Sequence, residues 1–365
     1  MPSSADPTVT DLRRAMLPDD ERALLARRLP KAELHMHHMG SLAPSELARL
    51  TRLQQGTALR GRALHAAYDN RGVGKFFDDL DRAVRLWGDH ATLVAGALHM
   101  ISAAYNRGVR HLELLCTPDL HRQQLGMAPE VLLRGVAEAF AVARDELGLT
   151  GGIVVELHRF DGGQAALDLV EETAGLREQG IPILGYGNDG DHRTVAFEEL
   201  APAYARARDE GYRLTGHVDV IEDVPAALDI GLDRFDHGWM AVDDPSLVDR
   251  IVASGTPLTF TPGGYSLGGL HARVPFAEGW ASLERAGVLL AIGTDDPELH
   301  HTDIARDYDS MARRLDWSKE QLGEVAKNSF RAAWLPEGDP DGVRDTWFAE
   351  IDALVLDPRA PLRTP

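Results

Sequence analysis

The chain has 365 residues, a formal charge of −19 at neutral pH and a single cysteine, with 44% hydrophobic and 26% charged residues. That length suits one barrel domain with an insertion, and one cysteine excludes both an intrachain disulfide and a Cys-based zinc site. Binding a polyanion needs clustered Lys and Arg, so the charge argues against nucleic acid and anionic membrane as partners and leaves a small neutral or cationic molecule as the expected substrate.

Eight short apolar runs are predicted as strands, at about 32–38, 109–118, 151–160, 181–188, 212–219, 231–237, 256–261 and 287–294. Several are rich in Val, Ile and Leu, as strands covered on both faces are. Helical patterns fill the gaps; Asp244-Pro-Ser-Leu-Val-Asp-Arg-Ile-Val-Ala-Ser-Gly255 runs from a Pro in the first turn to a Gly stop. Eight alternating units predict an α/β fold, a (β/α)8 TIM barrel, with a C-terminal helix over Val343–Val355. A βαβ unit needs about 30 residues. The segment between the first two strands is much longer, so a helical lid is expected over about 41–108, including a pattern at Gly74–Trp87. The whole chain, 1–365, reads as a single metal-dependent hydrolase domain, disordered over its first dozen residues and its tail at about 358–365. No stretch approaches the ~20 apolar residues of a membrane span, and Met1-Pro-Ser-Ser-Ala-Asp6 lacks the apolar core of a signal peptide, so a cytoplasmic protein is expected. Oligomeric state leaves no trace in the sequence.

The chemistry-bearing residues fall at the downstream ends of these runs, where a barrel builds its active site. The first run ends in His35-Met-His37, the fifth in His217, the sixth in His237 and the eighth in Asp295-Asp296. Residues two apart on a strand share a face, so His35 and His37 point together into the mouth. Neutral imidazoles suit zinc, and His217 and Asp295 complete a cage from the other side of the barrel. A bound zinc lowers the pKa of its water to about 7 and yields a hydroxide at neutral pH. His237 is placed to orient that water or take its proton, and Asp296 to hold the water or the substrate. His38 is expected to face the other way, and His300 and His301 to lie at the surface. Strand four ends without a lysine, so a carboxylated-lysine bridge between two metals is not expected, and one zinc per chain is.

In order along the chain stand Pro30-Lys-Ala-Glu-Leu-His-Met-His37, Arg110-His-Leu-Glu-Leu-Leu-Cys-Thr-Pro118, Gly185-Tyr-Gly-Asn-Asp-Gly190, Thr215-Gly-His217, Arg234-Phe-Asp-His-Gly238, Gly293-Thr-Asp-Asp-Pro297 and Lys327-Asn-Ser-Phe330. Together they resemble the adenosine deaminase family of zinc aminohydrolases, from about Pro30 to Pro336. The resemblance implies zinc on His35, His37, His217 and Asp295, with His237 and Asp296 beside the water, Gly190 contacting the base through its backbone, and water replacing the amino group of a purine-like ring. Three departures accompany it. The family's Glu, three residues past the third histidine ligand, is Val220 here, in His217-Val-Asp-Val220, and Asp219, on the same strand face as His217, is the candidate substitute proton donor. Met39 stands where adenosine-specific members place an acid, in a His37-His-Met-Gly-Ser41 run that resembles aminodeoxyfutalosine deaminases. Thr261-Pro-Gly-Gly-Tyr265 replaces the family's Cys-Pro-x-Ser-Asn. The expectation is a zinc-dependent deaminase of a purine-like heterocycle or modified nucleoside. The alternatives are hydrolysis of a different bond in the same fold, or a ligand-binding pseudoenzyme.

Overall fold

A computed structural model describes residues 21–68, 87–266, 272–335 and 342–362, together with 80, 84 and 85. The expected disordered amino terminus and most of the helical pattern at Gly74–Trp87 lie outside the described residues. The eight predicted strands are all present. They run as β1 Lys31–His37, β2 Val109–Cys116, β3 Thr150–His158, β4 Ile183–Asp189, β5 Arg213–Leu214, β6 His217–Val218, β7 Phe235–His237, β8 Leu258–Phe260 and β9 Leu290–Ile292. The predicted fifth strand is split into β5 and β6 at Thr215-Gly216. A side chain at Gly216 would begin 2.3 Å from Asn188 Oδ1 and 2.7 Å from the Tyr204 hydroxyl, so the backbone must pass here without one.

All neighbouring strands are parallel, in the orders β1-β2-β3-β4-β5 and β6-β7-β8-β9. Backbone bonds across both seams close the ring. Asp295 N donates to His35 O (2.7 Å) and His37 N to Asp295 O (2.9 Å), while Thr215 N donates to Tyr186 O and Asp236 N to Gly216 O (both 2.9 Å). Helices cover the outside, and their ends follow the expected chemistry. Over Pro245–Ser254, Asp244 caps the Ser246 N–H at 2.9 Å, and Gly255 stops the helix at φ 70°. The C-terminal helix spans Val343–Leu356. The tail expected to be disordered from 358 is instead tied back over its first residues: Arg28 donates to the carbonyls of Pro358 and Ala360. A guanidinium fork satisfying two orphan carbonyls just past a helix end gives the physical reason. Of the expected lid, the described part holds helices Pro44–Gln55, Gly61–Ala66 and His90–Tyr105.

Lys31 opens β1 fully buried, its Nζ donating to Leu29 O (2.7 Å) and Arg107 O (2.8 Å). Burial, reinforced by Arg110, pulls its pKa down to about 7 from 10.5. Between those two values the unfolded chain holds a proton that the folded one has lost, so stability rises with pH across that window. Comparing urea unfolding of the wild type and Lys31→Met at pH 7 and pH 9.5 isolates this contribution. The wild type is expected to gain on the variant as pH rises, by up to ~1.4 kcal/mol per pH unit; a difference that stays flat would refute the assignment.

Candidate metal centre

β1 carries His35 and His37 into the mouth together, as alternation requires. His217 opens β6, and Asp295 follows β9 with a left-handed φ of 63°. His237, at the end of β7, is likewise left-handed at 65°. Such backbone is costly for residues with a Cβ and is stored at functional sites.

The four predicted ligands converge. His217 Nε2 lies 3.1 Å from both His35 Nε2 and His37 Nε2, and Asp295 Oδ1 lies 3.2 Å from His37 Nε2 and 3.7 Å from His35 Nε2. A tetrahedral metal with bonds of about 2.0–2.1 Å has ligand-to-ligand edges of about 3.3 Å, so the four atoms sit at the corners of a cage of that size. Every Nδ1 faces an oxygen on the far side: Thr259 Oγ1 for His35 (2.9 Å), Glu156 Oε2 for His37 (3.1 Å) and Asn188 O for His217 (2.7 Å). In a neutral ring, an N–H spent outward on that oxygen leaves the Nε2 lone pair facing the centre, where a cation would be held. Burial drives His35 well below the usual imidazole range, which keeps it a neutral ligand. Burial also lowers His37, but Glu156 and Asp296 outweigh it and hold the ring well above that range, showing how strongly the local field favours positive charge. The donor set fits a divalent metal.

Around the cage stand the predicted catalytic residues. His237 Nε2 lies 3.9 Å from Asp295 Oδ2 and 3.9 Å from Asp219 Oδ1. Asp219 therefore reaches the site, whereas the next two carboxylates along the chain do not: Glu222 is exposed and Asp223 is engaged by Arg159 at 2.8 Å. Burial pushes the Asp219 carboxyl up to about 7; His217 pulls it back and Asp189 raises it further. Asp296 is buried with Oδ1 unpartnered, and burial holds its carboxyl well above the usual range. Gly190, at φ 107°, gives its N–H to Asp189 Oδ1 at 2.6 Å.

Asp296 owes its place to Gly40. A Cβ on Gly40 would begin 1.8 Å from Asp296 Oδ1 and 2.3 Å from its Cβ and Cγ. Gly40→Ala is expected to displace that carboxylate and lower kcat by roughly 10²-fold, the scale for a displacement of about 1 Å in a reacting group. Metal content should be retained, since the three atoms nearest an added Cβ all belong to Asp296 rather than to the cage; unchanged kcat with normal metal would remove Asp296 from the machinery.

Several residues escaped the sequence reading. Glu156, within β3, and Asp189, at the end of β4, lie beside His37; the strand-end rule that found the histidines applies to Asp189. His300, expected at the surface, is instead folded inward, its ring grouped with Asp295 and Asp296 and packed against Gly264. The loop from Pro297 turns back over the cage through the His300 N to Asp296 O bond (2.8 Å), a contact that spacing does not reveal. His301 is exposed as expected. His38 points away, with Nδ1 on Leu115 O (3.1 Å) and its ring stacked on His121. Tyr265, unremarked beyond its place in a changed motif, contacts His237 Nδ1 at 3.1 Å. Cys116 is a buried free thiol. Among the described residues no helix is long and apolar enough to cross a membrane.

Comparison with known proteins agrees with this geometry. An adenine deaminase of Cupriavidus necator is 30% identical over 338 residues, covering 89% of this chain and 92% of that one. The crystal structure of an adenine deaminase from Arthrobacter aurescens superposes with a TM-score of 0.80 at 23% identity, covering 90% of this chain and 99% of that one. A zinc-bound amidohydrolase from Burkholderia ambifaria gives 0.81 at 23% identity, covering 98% and 97%. The family model for adenosine deaminase matches residues 30–348, so this chain belongs to the adenosine deaminase family, the hydrolytic deaminases that act on C–N bonds.

Proposed function

We propose that the protein removes the exocyclic amino group of a purine-like ring, with adenine or a lightly substituted adenine compound as the first candidate, using one zinc ion per chain. The carrying observation is the closed set of four ligand atoms with His237, Asp219 and Asp296 gathered around it. Support for the substrate comes from the adenine deaminases among its relatives. Water is consumed, ammonia leaves, and the ring carbon that bore the amine becomes a carbonyl.

Zinc held by His35, His37, His217 and Asp295 would supply the Lewis acidity that activates water at neutral pH. The chain's own residues do the rest. His237 offers Nε2 to the space the ligands enclose, and Asp296 offers its unpartnered Oδ1. Asp219 hands a proton to the ring nitrogen, the task left vacant by Val220. Gly190 meets the ring through its backbone. The described helices of the insertion, Pro44–Gln55, Gly61–Ala66 and His90–Tyr105, wall the barrel beside the site; their support is that Trp87, just before the last of them, packs edge-on against His38 at 5.4 Å, one residue from the cage.

The test is ammonia release by metal-quantified protein from adenine, adenosine, 5′-substituted adenosines, aminodeoxyfutalosine, cytosine and pterin, with and without chelator. Chelator-sensitive release from a purine is the expected result. Loss of ring absorbance without ammonia would mean a different hydrolysis. Tight ligand binding without turnover would mean a binding protein.

A further inference from the structure

The changed motif Thr261-Pro-Gly-Gly-Tyr265 folds as a unit around His237. It forms a short helix, Pro262–Ser266, directly after β8. Its two glycines allow a close approach: a Cβ on Gly263 would begin 2.5 Å from Thr302 Cγ2, and one on Gly264 would begin 3.0 Å from the His300 ring and 3.5 Å from Asp295 Oδ2. With both side chains absent, the helix sits low enough for Tyr265 to reach the site. The tyrosine is 8% exposed, its ring packed against Trp239, Phe260 and Phe276 at 5.5–5.9 Å. Its hydroxyl ends 3.1 Å from His237 Nδ1, with Thr261 Oγ1 at 3.4 Å from the same nitrogen.

We propose that Tyr265 is a positioning residue for His237: its phenol donates to Nδ1 and thereby leaves the ring proton on Nε2, the nitrogen facing the metal cage. Two physical arguments carry this. Which nitrogen of a neutral imidazole holds the proton is set by the bond the other makes, and Nδ1 is covered by hydroxyls, each able to donate. The other nitrogen looks toward carboxylate oxygens of Asp219 and Asp295, both at 3.9 Å, a field that favours an N–H on that side. His237 then serves the site as a hydrogen-bond donor rather than as a base. The packed ring also holds the imidazole's angle, on a residue whose backbone is already left-handed.

The inference rests on the proposed function only for the place of His237 beside the reacting atoms, and its test does not need a substrate. In zinc-loaded protein labelled with 15N-histidine, long-range proton–nitrogen correlations report the tautomer, with His237→Gln identifying the signals. Nδ1 unprotonated and Nε2 protonated in the wild type is the expected result; the reverse pattern overturns the proposal whether or not any activity is found. In Tyr265→Phe the preference should weaken at unchanged zinc content, and an unaltered pattern would likewise overturn it. Once a substrate is in hand, Tyr265→Phe should lower kcat by about tenfold or more with KM nearly unchanged, within the range typical of a proton-handling group. In the His237→Gln background the same change should cost nothing further. Full additivity of the two losses would show that Tyr265 does not act through His237.

Discussion

Replacing His217 with alanine is expected to empty the metal cage and take the activity with it. Its Nε2 makes both 3.1 Å edges to the other two histidines, so it is the corner on which the cage closes. Its Nδ1 is tied to Asn188 O at 2.7 Å, which fixes the ring before any metal arrives. Catalytic zinc sites usually rely on about three protein ligands and an open position, so a three-ligand remnant retains some affinity, but not in this geometry. Removing a buried imidazole leaves a cavity and takes away one of the four corners that would place the ion, although Thr259 and Glu156 still hold His35 and His37. Zinc content after dialysis should drop from near one equivalent, and turnover by several orders of magnitude. Melting gives an independent reading. A ligand that binds only the folded state raises stability by mass action, so added zinc should raise the wild-type Tm and move the variant's far less at the same concentration. A variant with stoichiometric zinc and full activity would overturn the ligand assignment.

The barrel and the meeting of the four candidate ligands were legible because both follow from short-range rules. Strand periodicity puts His35 and His37 on one face, and eight alternating units leave few topologies besides closure. Convergence of His217 and Asp295 then follows from the fold, since strand ends of a closed barrel meet at one mouth. What stayed hidden depends on backbone that turns back on itself. His300 stands five residues beyond Asp295 and reaches the cage only because the loop after Pro297 reverses. Tyr265 reaches His237 only because two glycines lower its helix, and Gly-Gly in sequence reads as a turn rather than as clearance. Glu156 and Asp189 are a different case. Asp189 ends its strand and was available to the same argument that found the histidines, whereas Glu156 sits inside β3, and neither shows the His-x-His or paired-carboxylate spacing that drew attention elsewhere. The first tail residues are a third case: their composition reads as disordered, and the distant Arg28 donates to the carbonyls of Pro358 and Ala360.

Asp219→Asn should keep the metal and lose the reaction. The family's proton donor is replaced by Val220, whose side chain has no proton to transfer, yet hydroxide addition to an aromatic ring needs a proton on the ring nitrogen as charge develops. Asp219 is the acid on the cage side of this segment, because Asp223 is committed to Arg159 and Glu222 faces solvent. Its carboxyl lies 3.9 Å from His237 Nε2 and is held up to about 7 mainly by burial. A carboxyl in that range carries a proton for a useful fraction of the time near neutral pH and can give it away, the match of acidity to working pH that general acids require. Asparagine keeps the volume and can donate a hydrogen bond, but it cannot release the proton. The expected result is about one zinc per chain, substrate affinity within a few fold of the wild type, and kcat lower by about 10²–10⁴-fold, the usual worth of a general acid. Asp219→Glu, which restores the proton on a longer arm, should recover part of that loss, whereas a merely structural carboxylate would be no better served by glutamate than by asparagine. Wild-type kcat in the asparagine variant would exclude Asp219 as the acid.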